Sequence, residues 1–148
     1  MKLVCVVGPT GCGKTWLGVE LAKMLGGEVA SCDSMQIYRG MLIGTAAPTA
    51  EEMQGIPHHM VGVADPRENY SVARYADDAA KCVDDILSRG KQPAIVGGTG
   101  LYLNALLAGH GFAGGDKDGR YRAELESRWD KEGGEAMFAE LRRIDPET

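Results

Sequence analysis

The sequence predicts an α/β fold of three layers, in which helices cover both faces of a parallel sheet. Two continuous apolar runs, LVCVV at 3–7 and QPAIVGG at 92–98, have the length and composition of strands that are buried on both faces. Between them, apolar residues recur at helical spacing in two segments. Strands that alternate with helices build βαβ units, so the sheet should be parallel.

The first half of the chain shows a strand, a loop and a helix in succession. The strand at 3–7 is followed by glycine, and KTWLGVELAKML at 14–25 places Leu17, Leu21 and Leu25 at helical spacing before Gly26. Further strands are then expected at 27–32, GEVASC, and at 58–65, HHMVGVAD.

The second half continues the alternation. Ser71 is a good N-cap for a helix over 71–89, which Gly90 should end. The run QPAIVGG then leads through a glycine-rich turn into a helix at about 101–107. We expect residues 1–109 to form the core domain.

After position 109 the composition changes. HGFAGGDKDG at 110–119 has the glycine content of a linker, and the remainder to 148 predicts two short helices interrupted at Gly133-Gly134. These helices carry few apolar residues, so we expect them to need a partner outside this chain.

Length, composition and charge exclude several classes of protein. The 148 residues suffice for one main core, and no apolar run approaches the roughly 20 residues of a membrane span. The N-terminus lacks the pattern of a secretory signal, which favours a cytoplasmic protein without a membrane partner. A net charge of -5 argues against a broadly basic, nucleic-acid-coating surface.

The four cysteines do not have the spacing of a metal or redox motif. Cys5, Cys12, Cys32 and Cys82 match neither a zinc ribbon nor a CxxC pair, so reduced thiols are expected. His58 and His59 are adjacent, but no Cys or carboxylate cluster joins them at the spacing of zinc ligands.

The segment GPTGCGKT matches the phosphate-binding pattern G-x-x-x-x-G-K-[ST] between a strand and a helix. Backbone N–H groups and the helix N-terminus should hold a di- or triphosphate, Lys14 should neutralise it, and the Thr15 hydroxyl should bind Mg²⁺. The fold is therefore P-loop NTPase-like. The predicted phosphate site consists of Gly8, Pro9, Thr10, Gly11, Cys12, Gly13, Lys14 and Thr15. Cys12 is either a tolerated small loop residue or a thiol activated by this electropositive loop.

Four motifs together resemble one family. GPTGCGKT, DSMQIYRGMLIGTAAPT at 33–49, IPHHMVGVADPRENYSVARYADDA and VGGTGLYLNALLAG are similar to segments of the tRNA dimethylallyltransferases. The resemblance covers residues 3 to about 148. It departs at Leu42, where the family usually has an acidic residue, and at Ala47, where it usually has a lysine.

The resemblance implies transfer of a dimethylallyl group from dimethylallyl diphosphate to N6 of the adenosine on the 3′ side of a tRNA anticodon. It assigns prenyl diphosphate and Mg²⁺ to the phosphate loop. Asp33, Ser34, Met35 and Gln36 would face the target adenosine, Thr99 would lie beside the reacting groups, and Arg120 would touch tRNA. Residues 110–148 would hold the linker and the beginning of a helical, tRNA-binding insertion domain. Family members continue beyond the length of this chain, so we expect it to be an N-terminal portion of such a protein and to be inactive by itself. We also expect a monomer.

The residues themselves agree with this chemistry but leave alternatives. Asp33 follows a predicted strand at the end where parallel sheets bind ligands, and it could be a general base for N6 or a Mg²⁺ ligand. Thr99 could serve the site or simply cap a helix. Gln36 could read an adenine edge or be a solvated loop residue. Tyr38 and Tyr102 could contact a base or prenyl group, or could belong to the core or its rim.

Two other functions fit the phosphate loop. A small-molecule kinase would transfer phosphoryl groups, but QPAIVGG lacks an acidic residue at its end and no arginine-rich lid precedes Gly109. A phosphate-binding fragment without catalysis is the other alternative. Prenyl transfer from a labelled donor, compared with ATP consumption, separates these functions.

Overall fold

The computed structural model describes residues 3–108 and 120–146. Within these ranges there are four strands, β1 (Val4–Val7), β2 (Glu28–Ser31), β3 (His58–His59) and β4 (Pro93–Gly97). The six helices in the same ranges are α1 (Lys14–Leu25), α2 (Ala50–Met53), α3 (Val72–Ser88), α4 (Gly100–Leu107), α5 (Arg120–Glu132) and α6 (Gly134–Ile144).

The strands form one parallel sheet in the order β1-β4-β2-β3. The strand β4 lies between β1 and β2, and Ala94 is in register with both Val4 and Val29. The strand that precedes the phosphate motif and the strand that precedes Asp33 therefore flank β4. All of these strands end at the same edge of the sheet, because they are parallel.

Side chains of the sheet alternate between two apolar clusters. Ala30, Cys32 and Ile95 belong to a cluster with Tyr75, Ala79 and Val83 of α3 and Tyr102 of α4. Val6, Val29, Ala94 and Val96 belong to a second cluster with Ala22 of α1. Because successive residues of a strand point to opposite faces, the sheet has helices on both sides. The predicted three-layer α/β fold is confirmed.

The predicted helix over 71–89 is confirmed almost residue for residue. Ser71 is the N-cap of α3, and its hydroxyl accepts a hydrogen bond from the backbone N–H of Arg74 at 3.2 Å. Tyr75, Ala76, Ala79, Val83 and Ile86 form the buried face of this helix. Its end before Gly90 matches the expected glycine stop.

One prediction for the region 50–65 was wrong, and one helix in this region was not predicted. The strand expected over 58–65 ends at His59, because Met60 and Gly62 have φ values of 62° and 61°, which are incompatible with a strand. The short helix α2 was not predicted. It begins with a capping box in which the Thr49 and Glu52 side chains each accept a bond from the other residue's backbone N–H.

Contacts divide the chain into two units, 1–111 and 112–148. In the second unit, α5 and α6 are separated at Gly133, as the sequence predicts, and Arg128 of α5 forms ion pairs with Glu132 and with Glu140 of α6. The predicted linker at 110–119 and the boundary at 109 lie outside the described residues. None of the helices in the described ranges has the combined length and apolar character that a membrane crossing requires.

Candidate functional site

The phosphate motif forms the turn between β1 and α1. Gly13 is the N-cap of α1 with φ 84°, a left-handed conformation that glycine adopts without strain. Lys14 and Thr15 are then the first residues of the helix, so the free N–H groups of its first turn lie at the loop. The Lys14 ammonium donates to the carbonyl oxygen of Pro9 at 2.6 Å, which keeps this charge over the loop.

A cavity of about 310 Å³ opens beside this turn. Five residues of the predicted phosphate site line it: Thr10, Gly11, Gly13, Lys14 and Thr15. Asp33 and Gln36 line the same cavity, together with Thr45 and Ala46. The structure therefore brings the phosphate loop and the carboxylate after β2 to one space.

The position of Asp33 depends on close contact between β2 and β4. Cys32 donates its backbone N–H to Val96 O at 2.8 Å, and its carbonyl accepts from the N–H of Thr99 at 3.1 Å. A Cβ atom on Gly97 would lie 2.0 Å from the Cys32 oxygen, so only glycine permits this approach. Burial raises the pKa of the Cys32 thiol, which keeps the residue before Asp33 uncharged.

The Asp33 carboxylate is fixed through one oxygen. Its Oδ1 accepts from the backbone N–H groups of Met35 at 2.9 Å and Gln36 at 3.2 Å. Its Oδ2 makes no hydrogen bond to any residue in the described ranges. A carboxylate that lines a cavity and has one oxygen without a hydrogen-bond partner in the described residues can accept a proton or bind a cation.

Thr99 contacts the Asp33 segment instead of capping its helix. It occupies the N-cap position of α4, but its side chain makes no capping bond. The hydroxyl accepts from the backbone N–H of Ser34 at 3.0 Å and lies 3.3 Å from the Ser34 hydroxyl. Thr99 thus ties the turn before α4 to the residue next to Asp33.

The Gln36 side chain is bonded within the chain. Its amide oxygen accepts from the Ser31 hydroxyl at 3.2 Å, and its amide nitrogen donates to the carbonyl oxygens of Thr45 and Ala46 at 3.4 and 3.1 Å. Met35, by contrast, is 48% exposed. The predicted contacts of Ser34, Met35 and Gln36 with tRNA stay predictions.

The remaining sequence-predicted residues lie apart from this cavity lining. Gly8, Pro9 and Cys12 belong to the loop, and the Cys12 thiol is exposed 3.9 Å from the Lys14 ammonium. All four cysteines are free thiols, as expected. Arg120 is the first residue of α5, in the second unit.

The histidines and tyrosines that the sequence singled out have structural partners. His58 Nδ1 lies 2.8 Å from Ile56 O, and His59 Nε2 lies 2.6 Å from the Glu28 carboxylate. Tyr102 stacks on Tyr75 with ring centroids 4.1 Å apart inside the core, and the backbone of Tyr38 bridges to Ala64.

Four residues that line the cavity were not predicted from the sequence. Trp16, Glu52, Thr45 and Ala46 all line it. Glu52 had a visible signal, the capping-box pattern that it forms with Thr49. Thr45 and Ala46 had none, because their place depends on a side chain nine or ten residues earlier in the chain.

Comparison with known proteins agrees with the fold and the motifs. Residues 36–148 match the family model described as IPP transferase, and residues 1–63 match one described as isopentenyl transferase. The tRNA dimethylallyltransferase of Halalkalibacterium halodurans is 52% identical over 99% of this chain and 47% of its own length. That of Oceanobacillus iheyensis is 46% identical over 97% of the chain and 46% of its own length. The chain thus spans about half the length of these curated relatives.

Two solved structures have the same fold. The full-length tRNA isopentenylpyrophosphate transferase from Bacillus halodurans superposes with a TM-score of 0.75 at 50% identity, over 99% of this chain and 48% of that one. A eukaryotic dimethylallyltransferase acting on tRNA gives a TM-score of 0.68 at 39% identity, over 70% of this chain and 26% of that one. The chain therefore belongs to the IPP transferase family, the tRNA dimethylallyltransferases.

Proposed function

We propose that the protein containing these residues transfers a dimethylallyl group from dimethylallyl diphosphate to N6 of the adenosine that is 3′-adjacent to the anticodon in tRNA. The observation that carries this proposal is that residues of the phosphate loop and Asp33, whose Oδ2 has no hydrogen-bond partner among the described residues, line one cavity. The names of the relatives supply the class of substrates.

The phosphate loop holds the leaving group. Its backbone N–H groups, the N-terminus of α1 and the Lys14 ammonium stabilise the negative charge that grows on the diphosphate as the bond from its oxygen to the prenyl C1 breaks. This interaction strengthens in the transition state, because the departing diphosphate gains charge there.

Asp33 completes the transfer of atoms. The adenine N6 is a weak nucleophile, since its lone pair is delocalised into the ring. As it forms the new bond to C1 it must lose one proton, because the nitrogen would otherwise keep a positive charge. The free Oδ2 accepts that proton while Oδ1 stays bonded to Met35 and Gln36. The products are N6-dimethylallyl adenosine, diphosphate and a protonated Asp33.

The residues present fit a Mg²⁺ ion at the phosphate loop. Thr15 lines the cavity beside Lys14, and a hydroxyl together with substrate phosphates and waters is a donor set that Mg²⁺ uses. In the described ranges no group of three or more His, Cys, Asp or Glu residues is arranged to hold a metal. Thr15 and the diphosphate would therefore hold the ion, which neutralises phosphate charge when bound.

The tRNA would reach the cavity from the side of Ser34, Met35 and Gln36. Arg120 would be a further tRNA-binding residue. A duplexed or stacked base cannot enter such a cavity, so the adenosine must be flipped out. A monomeric state and a cytoplasmic location are part of the same proposal.

Labelled dimethylallyl diphosphate and an anticodon stem-loop, incubated with the full-length protein that contains these residues, test this function. The expected product is a stem-loop that carries the label on the adenosine after the anticodon, without consumption of ATP. Phosphate transfer from ATP to a hydroxyl acceptor, with no prenyl transfer, would replace the proposal by the kinase alternative. Pyrophosphate binding without either reaction would identify a non-catalytic module.

A further inference from the structure

Residues 41–47 form a turn that is closed by its own hydrogen bonds. The Thr45 hydroxyl donates to Met41 O, and the backbone N–H groups of Ala46 and Ala47 donate to Ile43 O and Leu42 O. Ile43, near its tip, is 99% exposed, so apolar burial does not hold the tip in place. The turn nevertheless supplies Thr45 and Ala46 to the wall of the cavity.

Gln36 connects this turn to the sheet. Its amide nitrogen donates to the carbonyl oxygens of Thr45 and Ala46, and its amide oxygen accepts from Ser31, which is only 3% exposed at the end of β2. A primary amide has two N–H donors, and both are used here. The backbone N–H of the same residue donates to Asp33 Oδ1.

We propose that Gln36 is a positioning residue that holds the 41–47 turn against the cavity and couples its place to that of the Asp33 carboxylate. The alternative use of this side chain, reading an adenine edge, needs one amide N–H to donate to a ring nitrogen and the amide oxygen to accept from N6–H. Because both N–H donors are already used, it would require at least one of the bonds to Thr45 and Ala46 to break.

The effect on catalysis rests on the proposed function. If Asp33 is the base for N6, release of the turn removes Thr45 and Ala46 from the cavity lining and loosens one of the two N–H bonds on Oδ1. The rate of transfer then falls although Gln36 touches neither substrate. The anchoring itself does not depend on which reaction the protein catalyses.

Hydrogen exchange measured by mass spectrometry tests the anchoring in this chain. Gln36→Met keeps the length of the side chain and removes its hydrogen bonds. The amides of residues 40–48 should exchange at least about fivefold faster, the effect of about one lost net hydrogen bond. Gln54→Met, a change at an exposed glutamine outside the turn, is the matched control and should leave exchange in 40–48 unchanged.

Ser31→Ala provides a second variant that cannot act through substrate contact. Ser31 is buried and supports only the amide oxygen of Gln36, so exchange in 40–48 should rise by a smaller factor, and the rate of prenyl transfer should fall in the same direction. Unchanged exchange in both variants would overturn the proposal. So would a rate that falls for Gln36→Met but not for Ser31→Ala, because that result indicates base reading. If the full-length wild-type protein that contains these residues shows no prenyl transfer, the proposed function fails, while the exchange measurements on this chain still decide the role of Gln36.

Discussion

The two ends of β2 carry two carboxylates with opposite surroundings. Glu28 begins the strand and is 2% exposed, whereas Asp33 follows its end and is half-buried at the cavity. They lie within six residues of one another in the sequence, on the same strand and its continuation. Their partners make the difference.

Glu28 has every oxygen paired with a cationic group. The Arg89 guanidinium donates to both oxygens at 2.6 and 2.8 Å, the Lys91 ammonium lies 2.9 Å from Oε1, and His59 Nε2 lies 2.6 Å from Oε2. The hydrogen bonds from Arg89, followed by those from Lys91 and His59, hold the pKa of this carboxyl far below its usual range against the opposing effect of burial. This carboxylate joins β2, β3 and the end of α3, and it has no capacity left for a substrate.

One oxygen of Asp33 accepts hydrogen bonds from two backbone N–H groups. The other oxygen has no hydrogen-bond partner in the described part of the chain. A protein can stabilise a buried carboxylate by pairing it completely, or it can leave an oxygen open at a ligand site and lose that stabilisation. The comparison teaches that incomplete pairing, more than position on the sheet, marks the carboxylate that is available for chemistry.

The largest expected effect is a difference in turnover between a variant of Asp33 and a variant of Glu28. In the full-length protein that contains these residues, Asp33→Asn keeps the shape of the side chain but removes the basic oxygen, so prenyl transfer should fall by roughly 10²- to 10⁴-fold. Glu28→Gln should leave turnover per folded molecule near that of the wild type. Single-turnover rates and the affinity for prenyl diphosphate, measured in parallel, provide the comparison.

The same measurements distinguish the two roles that the sequence left open for Asp33. A general base leaves diphosphate binding intact when it is replaced. Should Asp33→Asn instead abolish Mg²⁺-dependent diphosphate binding while bound substrate reacts at the normal rate, Asp33 is a metal ligand.

The second expected effect compares two lysines. Lys14 lies at the phosphate loop and Lys91 pairs with Glu28. Pyrophosphate with Mg²⁺ should stabilise the chain by about 2.7 kcal/mol at a hundredfold excess over its dissociation constant. Lys14→Ala should remove most of the resulting rise in melting temperature, because its ammonium neutralises the ligand.

Lys91→Ala is the matched control for this measurement. It should lower the melting temperature without ligand but keep the increment that pyrophosphate produces. An equal loss of the increment in both variants would show that general positive charge, and not the loop, binds the anion.

The third expected effect concerns acid stability. Because the folded-state pKa of Glu28 is lowered from 4.5, its contribution to stability is present above that value and is lost as the pH falls below it. Glu28→Gln should lower the free energy of unfolding by about 1–3 kcal/mol at neutral pH, and it should flatten the decline between about pH 5 and pH 3. Arg89 and Lys91 are partly exposed and can regain water, which limits the loss.

Urea unfolding at several pH values measures this effect. Asp33→Asn is the control, since its carboxylate has one free oxygen and fewer partners. The free energy of unfolding of the wild type should decline as the pH falls. If Asp33→Asn flattens this decline as strongly as Glu28→Gln does, the assignment of the structural role to Glu28 is contradicted.

The comparison also shows which features a sequence can predict. The β1-loop-α1 unit and α3 follow from local patterns, a phosphate motif between strand and helix and an apolar repeat with an N-cap at Ser71. The Glu28 cluster could not be predicted, because Arg89 and His59 are 61 and 31 residues away from it. The strand predicted over 58–65 was too long because β-favouring residues there do not reveal the positive φ of Met60.

The candidate site also has features that the sequence predicts and features that it does not. Lys14, Thr15 and Asp33 were selected from the sequence, and the structure brings them to one cavity. Which oxygen of Asp33 is free, and how Gln36 holds Thr45 and Ala46, depends on backbone atoms that no residue pattern specifies. Their chemical roles stay predictions until the variants are measured.

The smallest expected effect comes from Thr99, whose hydroxyl accepts a hydrogen bond from the backbone N–H of Ser34 beyond the end of β2. Thr99→Ala removes the acceptor for the Ser34 N–H and the contact between the two hydroxyls. A net hydrogen bond is worth about 1 kcal/mol, so turnover should fall about fivefold, far less than for Asp33→Asn. Thr99→Ser keeps the hydroxyl and should restore most of the rate. The family resemblance instead implies that Thr99 lies beside the reacting groups. A loss in Thr99→Ala as large as that in Asp33→Asn would favour such direct contact, because it is far larger than the effect expected from the two hydrogen bonds to Ser34.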